Sequence, residues 1–292
     1  TEAIIKMFQL GYSPDEWDAF TSEALKNGYQ LSYLEKTGLT IVKTEKQFDR
    51  FKGRVIFPIH SLSGRVLGFG GRILTSDKKA AKYLNSPESE IYHKSKVLYG
   101  IYYAKQAIAK EDNCYLVEGY TDVITLTKYE IVNVVANLGT VLTERQAETL
   151  WRFFNHIIIC FDGDKSGVDA AIRAADRLLS IIKPNLKISF LFLPNNQDPD
   201  NFVGENGKEY FLSYVNKKIS IYNLIWSHHY KNVDINQPSS LAQLDKILRD
   251  QSNKIKDDTL KMYTKEFFLN KLSQLTPLTN KKQKINFRAY KE

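Results

Sequence analysis

The sequence predicts an α/β fold built on a mostly parallel sheet flanked by helices. Between residues 114 and 193, apolar runs of strand length alternate with amphipathic helical segments. Strands joined by helices of about a dozen residues form right-handed crossovers and therefore a parallel sheet. Strand-like runs before this region indicate an N-terminal α+β subdomain, and helical segments after it indicate a C-terminal helical subdomain.

The N-terminal subdomain is expected to span residues 1–110. Ser13-Pro14-Asp15-Glu16 has the composition of a capping box with a first-turn proline, which predicts a helix over Pro14–Lys26. A second short helix is expected at Ser32–Lys36, followed by polar residues through Gln47. Two strands joined by a turn come next, over Arg54–Ile59 and Arg65–Gly70. The polar stretch that follows, through Glu88, is expected to be a surface loop.

The central subdomain is expected to span residues 111–205, with four strands and three helices. The strands are predicted at Cys114–Val117, Val132–Ala136, His156–Phe161 and Ile188–Leu193. The helices are predicted at Asp122–Lys128, Glu144–Phe153 and Val168–Ile182. The second of these helices begins with its own capping box, Thr143 to Gln146.

The helical subdomain is expected to span residues 206–275, and no strand is expected after Phe211. Helices are predicted at Ile219–Tyr230, Ser240–Ser252 and Thr259–Leu275. Residues 276–292 contain Lys281, Lys282 and Lys284 with few apolar residues, so we expect a basic tail or linker there.

Composition narrows the class of protein. Hydrophobic residues make up 43% of the 292 residues and charged residues 25%, which is typical of a globular protein. No apolar run approaches the ~20 residues of a membrane helix, so we expect no membrane partner and a cytoplasmic location. The net charge of +8 indicates a polyanionic partner or a generally basic proteome. Cys114 and Cys160 are expected to be buried thiols, too few for a four-cysteine zinc site.

Acidic residues follow three of the predicted strands. Glu118 follows the first, Asp162 and Asp164 follow the third, and Asp198 and Asp200 lie after the fourth. Because ligands of open α/β sheets bind at the carboxyl ends of the strands, we expect these five carboxylates to lie together. Each pair alone is typical of a turn or a helix cap, but five clustered carboxylates would repel one another without a cation. Their oxygens favour Mg²⁺ or Mn²⁺.

Asp122 begins the helix after Glu118 and is either a further ligand or a helix cap; both interpretations stay open.

The sequence segments around these acids resemble the motifs of a known family. A Glu after one strand and Asp-x-Asp after a later one resemble the Toprim fold, which primases share with topoisomerases and some nucleases. Val117 to Val123, Ala136 to Thr140 and Phe161 to Gly167 resemble the bacterial DnaG-type primase form of these motifs. Gly68-Phe69-Gly70-Gly71-Arg72 and Lys82 to Glu88 resemble the N-terminal subdomain of the primase core, which topoisomerases lack.

This resemblance implies an activity and a set of partners. A primase of this kind makes short RNA primers on single-stranded DNA from ribonucleoside triphosphates, by two-metal nucleotidyl transfer. The resemblance implies that Glu118, Asp162 and Asp164 are catalytic metal ligands and that Asp198 and Asp200 hold another ion or shape the site. It also implies a replicative helicase partner, bound through a domain absent here. The family's zinc ribbon has no counterpart, so no zinc is expected. Because Thr1 is not Met, we expect a fragment whose core begins before it.

Basic residues flank the strands and loops before the acidic motifs. We expect them to hold template phosphates and the nucleotide triphosphate, Arg by a forked contact and Lys as a point charge. The candidates are Arg54, Arg65, Arg72, Lys82 and Lys94. For Arg65, which begins a strand beside a turn, a solvated charge at the strand edge is also a credible interpretation. The neighbouring glycines Gly68, Gly70 and Gly71 lack the Gly-Lys-Ser/Thr of a phosphate-binding loop.

Three rival functions fit parts of the sequence. The first is another Toprim enzyme, a topoisomerase fragment or a nuclease. The second is a phosphate-transfer protein in which Asp162 is phosphorylated, although such proteins place the nucleophilic Asp after the first strand. The third is a nucleic-acid-binding scaffold with a vestigial site, which the complete acidic set argues against.

Overall fold

The computed structural model describes residues 1–44, 46–74, 81–107, 112–139, 142–162, 164–194 and 197–275. Its N-terminal part is mixed α+β. In chain order its elements are α1 (Glu2–Phe8), β1 (Gly11–Ser13), α2 (Ala19–Lys26), α3 (Leu31–Lys36), β2 (Thr40–Lys43), β3 (Lys46–Asp49), β4 (Arg54–His60), β5 (Val66–Ile73), β6 (Tyr83–Asn85) and α4 (Ile101–Ala104). Strands β1, β4, β5 and β6 form an antiparallel sheet in that order, and β2 pairs with β3 as a hairpin.

The central part is a five-stranded sheet flanked by helices. Its elements are β7 (Asn113–Val117), α5 (Tyr120–Lys128), β8 (Val134–Ala136), α6 (Glu144–Leu150), β9 (His156–Phe161), α7 (Lys165–Leu178), β10 (Lys187–Phe192), α8 (Pro199–Tyr214) and β11 (Ile219–Ser220). The strand order is β8-β7-β9-β10-β11, and only β11 runs antiparallel to its neighbour. This topology confirms the predicted mostly parallel sheet.

The C-terminal part is helical, as predicted. Its helices are α9 (Ile221–Tyr230), α10 (Pro238–Asn253) and α11 (Asp258–Leu275). Leu224, Leu244 and Phe268 from these three helices join the same apolar core as Ile157 and Ile188 of the central sheet. The helices therefore cover part of the sheet. None of the helices in the described ranges is both long enough and apolar enough to cross a membrane.

Four sequence predictions about elements are wrong. The polar stretch through Glu88 is not a loop throughout, because Tyr83–Asn85 form β6 and pair with β5. The helix predicted from Pro14 begins at Ala19 as α2, because Ser13 pairs with Arg54 in the sheet and the Pro14 carbonyl accepts a hydrogen bond from the Gly53 amide. The polar stretch before Gln47 contains β2 and part of β3. The short strand β11 follows Phe211, where no strand was expected.

The subdomain boundaries at 110 and 205 stay predictions. The basic tail predicted for residues 276–292, the central Gly163 of the Asp-x-Asp motif and Thr140 lie outside the described residues.

Candidate active site

The central sheet reverses its strand order between β7 and β9, and the acidic residues lie at this point. The chain passes from β7 to β8 on one side and then to β9 on the other side of β7. Crossover helices therefore leave in opposite directions and open a crevice at the carboxyl ends of these two strands. Glu118 directly follows β7 and Asp162 directly follows β9. The topology thus brings the first two predicted site residues to one crevice.

Two further predicted residues cap helices at this crevice. The Asp164 carboxylate caps α7 by accepting a hydrogen bond of 2.6 Å from the Gly167 amide. The Asp198 carboxylate caps α8 by accepting one of 2.8 Å from the Asn201 amide. Each of these carboxylates uses one oxygen for the cap, which leaves the other oxygen for a ligand.

Asp200 is held by helix α5 through two hydrogen bonds. The Thr125 hydroxyl donates to Oδ1 of Asp200 at 2.7 Å, and the Asp200 amide donates to Oδ1 of Asp122 at 3.3 Å. Asp122 also accepts a bond of 2.9 Å from the Gly119 amide and is buried. Asp122 therefore joins the loop after β7 to the start of α8, which fits the capping interpretation of this residue. Burial raises its pKa to about 7, and the charges of Asp198 and Asp200 contribute.

The carboxylates raise one another's pKa values. Partial burial raises the pKa of Glu118, and the charges of Asp162 and Asp164 raise it further. The pKa of Asp162 is raised by burial and by Asp198 and Asp164. Among the described residues no Lys, Arg or His forms an ion pair with any of these acids. Carboxylates that raise one another's pKa values in this way favour the approach of a cation.

Three of the predicted basic residues line the same cleft as the acids. The cleft has a volume of about 600 Å³. Its cationic wall consists of Arg72, Lys82 and Lys94, and its acidic wall includes Glu118, Asp122, Asp162, Asp198 and Asp200. Positive and negative side chains therefore line the same space.

The other two predicted basic residues lie elsewhere. Arg54 is buried, and its Nη1 donates to the carbonyls of Gly71 and Lys82. Its guanidinium holds β4, β5 and the start of β6 together and does not line the cleft, so the phosphate-binding role of Arg54 stays a prediction. Arg65 is exposed but lies just before β5, roughly 20 Å of strand away from Arg72. The structure does not bring Arg65 into the cleft.

Several residues that position the site were missed by sequence reasoning. Gln146 is fully buried and donates to the carbonyls of Lys94 and Val97, so that α6 holds the Lys94 segment. Gly167 lies so close to the Asp162 backbone that a Cβ there would be 2.2 Å from the Asp162 carbonyl oxygen. The sequence placed Gln146 in a capping box and Gly167 in a motif. Neither pattern predicts the contacts that these residues make with residues outside it.

This arrangement defines a class of protein: α/β domains that carry acidic residues at the carboxyl ends of the strands, at the point where the strand order reverses. In agreement, the Toprim-like family matches residues 115–203, and the family described as DNA primase catalytic core, N-terminal domain, matches residues 1–105. The DNA primase of Escherichia coli K12 is 36% identical over 273 residues, which are 93% of this chain and 47% of that protein.

Solved structures agree with the family matches. The E. coli primase catalytic core superposes with a TM-score of 0.86 at 36% identity, covering 93% of this chain and 87% of the other. A DnaG primase catalytic domain bound to single-stranded DNA gives 0.85 at 35%, covering 92% and 87%. The chain belongs to the bacterial DNA primase family. It spans about half the length of the curated relatives it matches.

Proposed function

We propose that this chain synthesises short RNA primers on a single-stranded DNA template, as the polymerising core of a bacterial replication enzyme in the cytoplasm. The observation that carries the proposal is the cleft that Arg72, Lys82 and Lys94 line together with the acidic residues. A nucleoside triphosphate needs cations along its phosphates, and a phosphoryl transfer needs charge stabilisation at the reacting oxygens. The relative whose structure holds single-stranded DNA supports the choice of template.

The acidic wall fits divalent cations by its chemistry. Carboxylate oxygens are the ligands that Mg²⁺ and Mn²⁺ prefer, and Glu118, Asp162 and Asp164 would hold the principal ions. Asp198 and Asp200 would hold another ion or shape the site. In the described ranges, no three Asp, Glu, His or Cys side chains converge tightly enough to hold an ion. Binding would therefore require side-chain rotation toward a shared point. When bound, such ions polarise the transferring phosphate and activate the attacking hydroxyl.

The side chains of the chain itself account for substrate positioning. Arg72 presents a forked donor to phosphate oxygens, and Lys82 and Lys94 act as point charges. In the proposed reaction the 3′-hydroxyl of the primer attacks the α-phosphate of the incoming ribonucleotide. The new phosphodiester bond forms as pyrophosphate leaves. Positioning and charge neutralisation supply most of the acceleration. A replicative helicase is the expected partner of the longer protein.

The experiment is primer synthesis on single-stranded DNA with ribonucleotides and Mg²⁺ or Mn²⁺. Asp162→Asn and Glu118→Gln each remove a charged ligand, so we expect product to fall by at least about 100-fold. Template binding, which depends on the cationic wall, should stay within about twofold. Asp169→Asn is the matched control, because Asp169 is exposed on α7 outside the cleft. Synthesis retained in either site variant would refute the assignment.

A further inference from the structure

Tyr120 lies at the contact between the two halves of the cleft. It follows Glu118 and Gly119 directly, and it is 3% exposed. Its ring stacks on Phe57 of β4, with ring centroids 4.8 Å apart, and meets the ring of Tyr99 edge-on at 4.7 Å. The first residue of α5, two positions after Glu118, is therefore packed among side chains of the N-terminal part of the chain.

Two contacts of the ring fix its position against β5 and β6. The Tyr120 hydroxyl donates to Oδ1 of Asn85 on β6 at 2.5 Å. Gly70 on β5 lies directly against the ring, because a Cβ at Gly70 would be 2.2 Å from Cζ of Tyr120. Strands β5 and β6 therefore fix the position of the Tyr120 ring.

The same two strands lead to the cationic wall. Arg72 belongs to β5, and Lys82 directly precedes β6. Both cations lie over the ring of Tyr83. Cζ of Arg72 is 5.7 Å and Nζ of Lys82 is 5.9 Å from the centroid of that ring. Tyr83 in turn stacks on Tyr120, with centroids 6.2 Å apart and an interplanar angle of 30°. Contacts therefore run without a break from the loop of Glu118 to the two cations.

We propose that Tyr120 is a positioning residue that sets the distance between the cationic wall and the metal-binding carboxylates. It acts through Asn85 and Tyr83, and it places the triphosphate relative to Glu118. This inference rests on the proposed function, since it assigns the cations to the triphosphate.

The test is Tyr120→Phe, which removes the bond to Asn85 and keeps the ring. Loss of one buried hydrogen bond corresponds to an increase of about 3- to 10-fold in the KM for ribonucleotide. Affinity for Mn²⁺ alone should change by less than about twofold, because the carboxylates lie on the central sheet. Tyr129→Phe is the matched control. Its hydroxyl, at the end of the same helix, donates to the Gly204 carbonyl away from the cleft, and its KM should be unchanged.

A second variant tests the same bond from the other side. Asn85→Ala removes the acceptor, so it should raise KM as Tyr120→Phe does, and the double variant should be no worse than either single one. Increases in KM that add up in the double variant would overturn the inference. A fall in kcat at unchanged KM would also overturn it, because that result indicates only a loss of active protein. If the unaltered protein makes no primers, the proposed function fails. If it makes primers and both variants keep its KM, this inference alone fails.

Discussion

Gly167 lies directly against the backbone of Asp162, one of the proposed metal ligands. The Asp162 carbonyl oxygen occupies the space that a side chain at residue 167 would need. Because that oxygen belongs to the main chain, it can move only if the loop after β9 moves with it. The distance between α7 and the loop after β9 is therefore set at this residue.

We expect Gly167→Ala to lower the free energy of unfolding by about 1–3 kcal/mol and to weaken Mn²⁺ binding by displacing Asp162. Thermal unfolding and a Mn²⁺ titration measure the two effects. Gly204→Ala is the control, since nothing lies within 4 Å of the added Cβ on helix α8. There the free energy should stay unchanged or rise by up to about 1 kcal/mol. Equal losses in the two variants would show that the close approach to Asp162 is unimportant.

At this scale the acids were predictable and the basic residues were only partly so. Glu118 and Asp162 directly follow apolar strands, so the position of each strand end gives the position of the carboxylate. Arg54 also begins an apolar strand, and nothing local distinguishes it from Arg72. Its burial depends on the carbonyls of Gly71 and Lys82, which are distant in sequence.

Helix α6 shows how an element away from the acids shapes the cleft. Its predicted capping box is confirmed: the Gln146 amide donates to the Thr143 hydroxyl oxygen at 3.1 Å, and the Thr143 amide donates to Oε1 of Gln146 at 3.0 Å. The side-chain amide of Gln146 then donates outward to the Lys94 and Val97 carbonyls. The Lys94 amide donates to Glu88 from the other side. The segment that carries Lys94 is therefore held at both ends.

Gln146→Leu keeps the volume of the side chain but leaves the two carbonyls and the Thr143 amide without this partner. We expect the free energy of unfolding to fall by about 2–3 kcal/mol, because buried polar groups lose their hydrogen bonds. Chemical denaturation measures the change. Glu148→Ala, on the exposed face of the same helix, should stay within about 0.5 kcal/mol. A Gln146→Leu variant as stable as this control would contradict the role given to Gln146.

The predictions of secondary structure are correct where a hydrophobic period extends over many residues. They are wrong where pairing with a distant strand determines the local structure. The four parallel strands and the helices between them occur where the alternation of apolar segments placed them. The helix expected from Pro14 lost its first turn to pairing with β4, because the sheet satisfies the backbone there. Strand β11 has two residues and pairs only with β10, so no sequence period can reveal it.

At the scale of the whole molecule, only some of the basic residues lie in the cleft. Arg72, Lys82 and Lys94 line the cleft, whereas Arg65 lies at the far end of the β4–β5 hairpin. Composition indicated a polyanionic partner or a generally basic proteome, but only the fold separates the basic residues that line one cleft from those that do not. The role of Arg65 in binding nucleic acid stays a prediction.

We expect Arg72→Ala to weaken binding of single-stranded DNA and to reduce the slope of log affinity against log salt by about 0.7, since one phosphate contact is lost. Fluorescence anisotropy over a range of salt concentrations measures both. Arg65→Ala is the natural comparison, because it removes the same charge outside the cleft. Equal changes in the two variants would mean that net charge, not the cleft, determines binding.

The central claim is that carboxylates from three neighbouring parallel strands hold divalent cations in one cleft. Anomalous diffraction from a crystal soaked in Mn²⁺ tests it most directly. We expect a manganese peak within bonding distance of Glu118 and Asp162, with Asp164 or water completing the ligands. Side chains that point apart, with no peak between them at saturating Mn²⁺, would contradict the account.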